Sequence, residues 1–324
     1  MLNEIKIPDI SKEIQKEDLL AILQNKYSLV GPLWVNQQME WMNGIYASFK
    51  NHDKYLIVMY LLKKTLDFYS RNFIKLTYDE FYKRETVEIK KFNISEISNA
   101  LNIPKESARR KINELEVMGV IKRFKKKIII DRSSYEYIKP VHTVKRICRF
   151  LSAVTRICEA QKVLPKRITT EQLELTIKNN FSYIWKIYYE MQIPMMLSYK
   201  KIFKDLESFH IYGTCTVNQH LHSQRENKNR MDRDDFLKLI LSKKVQGINA
   251  MSISDITEIP RATVIRKLQK LVKNKYLVID DKKLYRMSAI EHNLKKPQKV
   301  VFNHLALFST KIFNYSVHYK KLYR

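Results

Sequence analysis

The chain has 324 residues, room for two or three domains that each bury a core, and so little Gly (5) and Pro (8) that few tight-turn hairpins are expected. Lys and Arg number 60 against 33 Asp and Glu, a formal charge of +27 that points to a polyanionic partner, nucleic acid before anionic membrane. Three cysteines (Cys148, Cys158, Cys215) form no CxxC pair and suit a reducing cytosol, and the opening residues 1–6 hold no apolar signal core.

The charge is unevenly placed. Residues 1–100 carry 14 basic and 13 acidic side chains, residues 101–150 carry 14 and 5, and residues 251–324 carry 16 and 5. A codon bias toward Lys would spread the excess evenly, whereas these peaks fall on two segments that share a pattern.

In chain order, residues 1–90 are nearly neutral and aromatic-rich, with Trp34, Trp41, Tyr46 and Phe49, and read as a helical N-terminal region. Residues 91–140 hold the first patterned segment. Here the spacing predicts a short helix over 94–101, with Asn93 and Glu96 at capping-box spacing and a turn at Asn102. Pro104 opens a second helix that runs to about Met118, and Gly119 stops it. Apolar strands near 120–122 and 128–130 flank a basic tip from Arg123 to Lys127.

Residues 141–219 read as a helical connecting region. The apolar period of 142–164 is that of a packed helix, and Thr169 and Gln172 have capping-box spacing for a helix over 172–191 that Pro194 ends or kinks. The most apolar stretch, 181–199, is broken by Lys186, Glu190, Gln192 and Pro194, so it reads as a buried helix and not a membrane span. Residues 220–232, polar and without apolar period, are the expected linker. The second patterned segment is placed at 233–290, with 234–245 as its first helix, and a basic C-terminal segment fills 291–324.

Shifted against itself by 156 residues, the chain aligns 93–130 with 249–286 without a gap, and ten of the 38 positions are identical. They include Asn93/Asn249, Ser98/Ser254, Ile103/Ile259, Pro104/Pro260, Arg110/Arg266 and Leu115/Leu271. Each copy reads helix, turn, helix, basic hairpin. The stretch Ile259-Pro260-Arg261-Ala262-Thr263-Val264-Ile265-Arg266-Lys267-Leu268-Gln269-Lys270-Leu271, followed by Tyr276-Leu277-Val278, resembles the recognition-helix stretch of IclR-type and MarR-type bacterial regulators. The first copy, Ile103-Pro104-Lys105-Glu106-Ser107-Ala108 through Leu115 and Gly119-Val120-Ile121, is similar. The resemblance covers under a third of the chain and implies the winged helix-turn-helix fold. The expected architecture is therefore mainly α with small β-hairpin wings: two winged helix-turn-helix domains joined and flanked by helical segments. The second copy departs from the pattern at Glu258 in the turn and at Lys275, where a stop glycine is usual.

The helical period turns Ala108, Ile112 and Leu115 inward, and Ser107, Arg109, Arg110 and Asn113 outward beside Lys105 and Glu106. In the second copy Val264, Leu268 and Leu271 turn inward, and Arg261, Thr263, Arg266, Gln269 and Lys270 face out. Arg reads guanine and Asn or Gln reads adenine in the major groove, while Ser, Thr and Lys hold phosphates. Arg110 and Arg266, mid-face in both copies, are the candidate base readers. Arg123, Lys125, Lys126 and Lys127 form the first wing and Lys282 and Lys283 the second, with Asp280-Asp281 in its turn. The first wing is expected to carry more of the salt-dependent affinity.

These readings converge on a sequence-specific, double-stranded DNA-binding protein of the cytoplasm and nucleoid, a transcriptional regulator and not an enzyme. No cofactor, metal or membrane is expected; a homodimer through the helical regions and a small-molecule effector stay open. The alternatives are a plasmid- or phage-type replication initiator on origin repeats, and a winged-helix scaffold for protein assembly, against which the charge peaks argue. His220-Leu221-His222 fits the pattern of metal-dependent nickases, but that chemistry needs a sheet strand where the flanks read as helix and linker. His210, Cys215, His220 and His222 match no common zinc spacing.

Overall fold

The structure is a computed structural model that describes residues 13–83, 86–89, 93–124, 127–131, 140–224, 231–242, 246–288 and 294–322. It is mainly helical with two small antiparallel sheets. The first half of the chain forms α1 (Lys16–Asn25), α2 (Tyr27–Phe49), α3 (His52–Arg71), α4 (Tyr78–Lys83), β1 (Thr86–Ile89), α5 (Ile94–Leu101), α6 (Lys105–Val117), β2 (Ile121–Phe124), β3 (Lys127–Asp131) and α7 (Val141–Ala160). The second forms α8 (Thr170–Asn179), α9 (Phe181–Phe203), α10 (Leu206–Gln224), α11 (Arg233–Ser242), α12 (Ala250–Thr257), α13 (Arg261–Lys273), β4 (Leu277–Ile279), β5 (Tyr285–Met287) and α14 (Lys295–Leu322). No described helix is long and apolar enough to cross a membrane.

The two halves repeat each other beyond the 38-residue match. A shift of 154 residues carries the starts of α1, α2 and α3 onto those of α8, α9 and α10, and α7 onto α14. The ends of these helices agree in detail. Lys50 (φ 50°) and Lys204 (φ 69°) close α2 and α9 in left-handed conformation. Asn51 then accepts the Lys54 N–H (3.3 Å), as Asp205 accepts the Ser208 N–H (2.7 Å).

Packing between the halves is reciprocal. Helix α3 lies on α9 and α10 on α2; α1 lies on α14 and α8 on α7; α4 touches α9 and α11 touches α2. Hydrogen bonds follow the same exchange. Ser28 donates its N–H to the Met231 carbonyl (3.1 Å) and its Oγ accepts the Met231 N–H (2.8 Å). Ser182 does the same with Leu76 (3.0 and 2.9 Å). Exchange of this kind is the mark of a two-fold relation. Its axis passes between Gln38 and Gln192, which are each other's counterparts 154 residues apart. Both are buried, and each amide donates to the other's Oε1 at 3.3 and 3.2 Å.

Several expectations are corrected by this packing. The helix expected over 172–191 is two helices that break at Asn180, although Thr169 does form its capping box with Gln172. Pro194 does not end α9, which runs on to Phe203, because the burial of Met191, Ile193, Met195 and Met196 around it outweighs one lost backbone bond. Residues 220–224, expected in a linker, belong to α10, where His220 turns inward beside Phe236. The helix that packs on α12 and α13 is α10, whereas α11, expected in that role, lies against α2. For the basic C-terminal segment, open between a packed helix and a phosphate contact, the helix is what forms: α14 buries Leu305, Phe308, Ile312 and Phe313 against α1, α8 and α9.

The amide pair can be tested by a double-mutant cycle. Gln38→Leu leaves the Gln192 amide short of a buried partner and should cost about 1–3 kcal/mol in urea unfolding. The double variant Gln38→Leu/Gln192→Leu, with both polar groups removed, should recover most of that loss.

Candidate nucleic-acid interface

The two sequence copies fold alike from the cap onward. Asn93 accepts the Ser95 N–H at 2.8 Å and Asn249 accepts the Ser252 N–H at 2.8 Å, opening α5 and α12. The expected capping box at Asn93 is incomplete. The Glu96 carboxylate turns to Lys64 (2.7 Å) and the Tyr60 hydroxyl (2.8 Å) on α3 instead, because these offer charge and a phenol donor. At the end of each short helix one residue takes left-handed backbone angles: Asn102 (φ 53°) in the first copy and Glu258 (φ 56°) in the second. The departure at Glu258 therefore leaves the turn unchanged. Identical serines fasten it, for Ser98 Oγ donates to the Ile103 carbonyl and Ser254 Oγ to the Ile259 carbonyl, both at 2.7 Å.

Pro104 and Pro260 then precede α6 and α13, and their carbonyls accept the N–H groups of Ala108 (2.8 Å) and Val264 (3.0 Å). Ala108, Ile112 and Leu115 are fully buried, as are Val264 and Leu268, with Leu271 at 2% exposure. Gly119 (φ 74°) and Lys275 (φ 60°) make equivalent left-handed exits, so the second departure is also absorbed. Hairpins follow. In the first, β3 pairs with β2 on one side and β1 on the other, with Ile130 facing both Ile121 and Val87. In the second, β4 pairs with β5, and an Ile248–Tyr285 bridge stands where β1 stands in the first.

On the outer face of α6, Lys105, Arg109, Arg110 and Asn113 are exposed and Ser107 is half-buried. On α13, Arg261, Arg266, Gln269 and Lys270 are exposed and Thr263 is half-buried. Arg110 and Arg266 thus both face outward, Arg110 with 71% of its side chain accessible. Lys111 and Lys267, identical in the two copies, point elsewhere. Lys111 is buried, and Lys267 pairs with Asp205 at 2.6 Å beside the start of α10.

Electrostatically the copies differ. In the first, Arg109 reaches Glu106 (3.4 Å), Arg110 reaches Glu114 (3.7 Å) and Lys127 reaches Glu88 (2.9 Å). Arg123 folds onto Glu116 through both its guanidinium and its backbone N–H, which holds the Glu116 carboxyl below the usual carboxylate range. Arg123 and Lys127 lie in β2 and β3 and not at a free tip; Lys125 and Lys126 fall outside the described residues. In the second copy Arg261, Arg266, Lys270, Lys282 and Lys283 have no ion pair among the described residues, and all are exposed. The second hairpin turn is held by Asp280, whose Oδ1 accepts the N–H groups of Lys282 (3.0 Å) and Leu284 (2.9 Å). Asp281 and Lys282 occupy its apex and Lys283 takes φ 58°. Among the described wing cations, Arg123 and Lys127 have acidic partners and Lys282 and Lys283 have none. Sequence reading had no view of Glu88 and Glu116 as partners, since their distance from the wing is set by the sheet. Lys273, exposed in the last turn of α13, was also passed over; its place at a helix C-terminus was the available signal.

The chain matches no protein-family model, no curated protein and no solved structure.

A left-handed Lys carries a backbone strain that Gly escapes. Lys275→Gly should raise unfolding free energy by about 1 kcal/mol in chemical denaturation, and Gly119→Lys should lower it by about as much.

Proposed function

We propose that this protein is a sequence-specific double-stranded DNA-binding regulator of transcription, whose two winged helix-turn-helix units act as a covalent pseudo-dimer on two half-sites. The observation that carries the reading is the pair of exposed cationic helices, α6 and α13, each behind a proline-led turn and each in one half of a two-fold arrangement. Such helices suit the major groove, where an arginine can bind guanine O6 and N7 in a bidentate way. The surrounding Lys, Ser and Thr groups suit phosphates. A two-fold frame favours inverted half-sites over direct repeats. Because the helix faces differ outside Arg110 and Arg266, the two half-sites should share one base position and diverge at the others.

Footprinting on the protein's own genome tests the reading. Protected inverted repeats overlapping promoters support it; tandem repeats at a replication origin would mean an initiator, and protection nowhere would mean a protein-assembly role. Arg110→Ala and Arg266→Ala should each relax base preference at one half-site, with a loss of about 1–3 kcal/mol of discrimination. An equal loss on every sequence would remove the base-reading role.

Salt dependence offers a separate measurement. Lys282→Ala should weaken binding uniformly and reduce the slope of log affinity against log salt by about 0.9. Arg123→Ala, by contrast, should leave the slope nearly unchanged, since Glu116 already neutralises that guanidinium.

A further inference from the structure

A partly open chamber of about 100 Å³ lies between α2, α9, α10, α11 and α14. Its walls are aromatic and apolar, with Trp34, Tyr199 and Phe302 among them, and three methionines (Met39, Met195, Met287) give it adaptable edges. Four polar atoms in this lining find no partner among the described residues: both ring nitrogens of His220, Nε of Arg233 and Oε1 of Gln298. His220 is 2% exposed and the Arg233 side chain 16%. Buried polar groups without partners each cost about 1–3 kcal/mol, so four on residues that line one cavity call for a polar group inside it.

The duplication sharpens this point. Under the 154-residue shift that lays α3 on α10, His220 corresponds to Leu66 and Gly213 to Met59. Both first-half residues are apolar and buried, at 1% and 0% exposure, and serve as ordinary core. The second half has instead a buried histidine, packed beside Phe236. Its glycine brings Met39 so close that even a Cβ at Gly213 would meet the Met39 sulfur. Burial pushes the His220 ring down to about 4, so at neutral pH it is an uncharged donor and acceptor. The Arg233 guanidinium pairs through Nη1 with Asp234 (2.7 Å), which leaves its Nε–H for the chamber.

We infer that this chamber binds a small aliphatic carboxylic acid. Its carboxylate accepts from Arg233 Nε–H and from the His220 ring N–H, and its hydrocarbon body lies against Trp34 and Phe302. Gln298, whose amide turns end for end without changing shape, adds an N–H to the same head group. A cavity of about 150 Å³ takes up benzene, so the smaller chamber here suits a hydrocarbon body of about four carbons. The inference stands on the cavity alone and does not depend on the DNA-binding reading.

Thermal melting and intrinsic fluorescence of the full chain, with pentanoate as probe and 1-pentanol and pentylamine as controls, decide the matter. Pentanoate at millimolar concentration should raise Tm by about 3–6 °C and change the Trp34 emission, while pentylamine does neither and dodecanoate is excluded by size. Arg233→Met should weaken pentanoate binding at least about tenfold without reducing the response to pentanol. His220→Leu, which restores the first-half residue, should raise basal stability while weakening pentanoate, and so separates a ligand role from a folding role. Trp34→Phe should abolish the fluorescence change but keep the Tm shift. The proposal is overturned by a pentanoate shift no larger than that of pentanol, by full retention of the shift in Arg233→Met, or by a crystal grown with pentanoate in which the chamber holds only water.

Discussion

Everything in this molecule depends on the exchange of helices between its two halves. Neither half closes its own core: α1 finds its cover on α14 of the other half, α8 on α7, α3 on α9 and α10 on α2. At the centre the Gln38 and Gln192 amides satisfy one another in a buried, water-excluded setting, a contact available only when both halves are in register. Around them the Ser28–Met231 and Ser182–Leu76 bonds clamp the ends of α2 and α9 to the loops of the opposite half. A second polar link, from His52 to His210 (3.2 Å) and on to Asn43 (2.6 Å), crosses the same seam. Rigid coupling follows. The outward faces of α6 and α13 hold one mutual geometry because each sits on a helix, α3 or α10, that belongs to the shared core.

A duplicated frame also lets the copies drift apart where the frame does not constrain them. The first copy has acquired acids beside its cations, at Glu88, Glu106, Glu114 and Glu116, and these neutralise part of its positive face. The second has kept an exposed face of Arg261, Arg266 and Lys270 without such partners among the described residues. In the interior the drift runs the other way. Leu66 and Met59 fill the first half with apolar bulk, whereas their counterparts His220 and Gly213 line the chamber between α2 and the second-half helices. Equivalent backbone with unequal side chains is how one half can serve one task more than the other.

Local structure was legible in the residues wherever it rests on short-range physics. The asparagine caps, the proline-led helices and the buried stripes Ala108–Ile112–Leu115 and Val264–Leu268–Leu271 follow from period and capping chemistry. The left-handed exits are a partial success. Asn102 and Gly119 announce themselves by residue type, but Glu258 and Lys275 adopt the same angles against their preference, because tertiary packing repeats the frame. Of the candidate interface, exposure of the helix faces could be read from the sequence. The ion pairs that bind Arg123 and Lys127 could not, since β-sheet register brings Glu88 beside Lys127 and the end of α6 beside β2.

The sequence alone determined the helix content, the two matching segments and the direction in which α6 and α13 turn their charges, for all of these arise from neighbours within a few residues. Tertiary structure decided the extent of the duplication and the way the halves interlock. Between 27–57 and 181–211 only six of 31 positions are identical, among them Ser28/Ser182 and Gln38/Gln192. Of these, Gln38 and Gln192 touch across the axis and Ser28 and Ser182 each bond to the opposite half, and a contact between residues 154 apart leaves no periodic trace in the chain. It exists only once the hydrophobic faces of α2, α3, α9 and α10 have found each other.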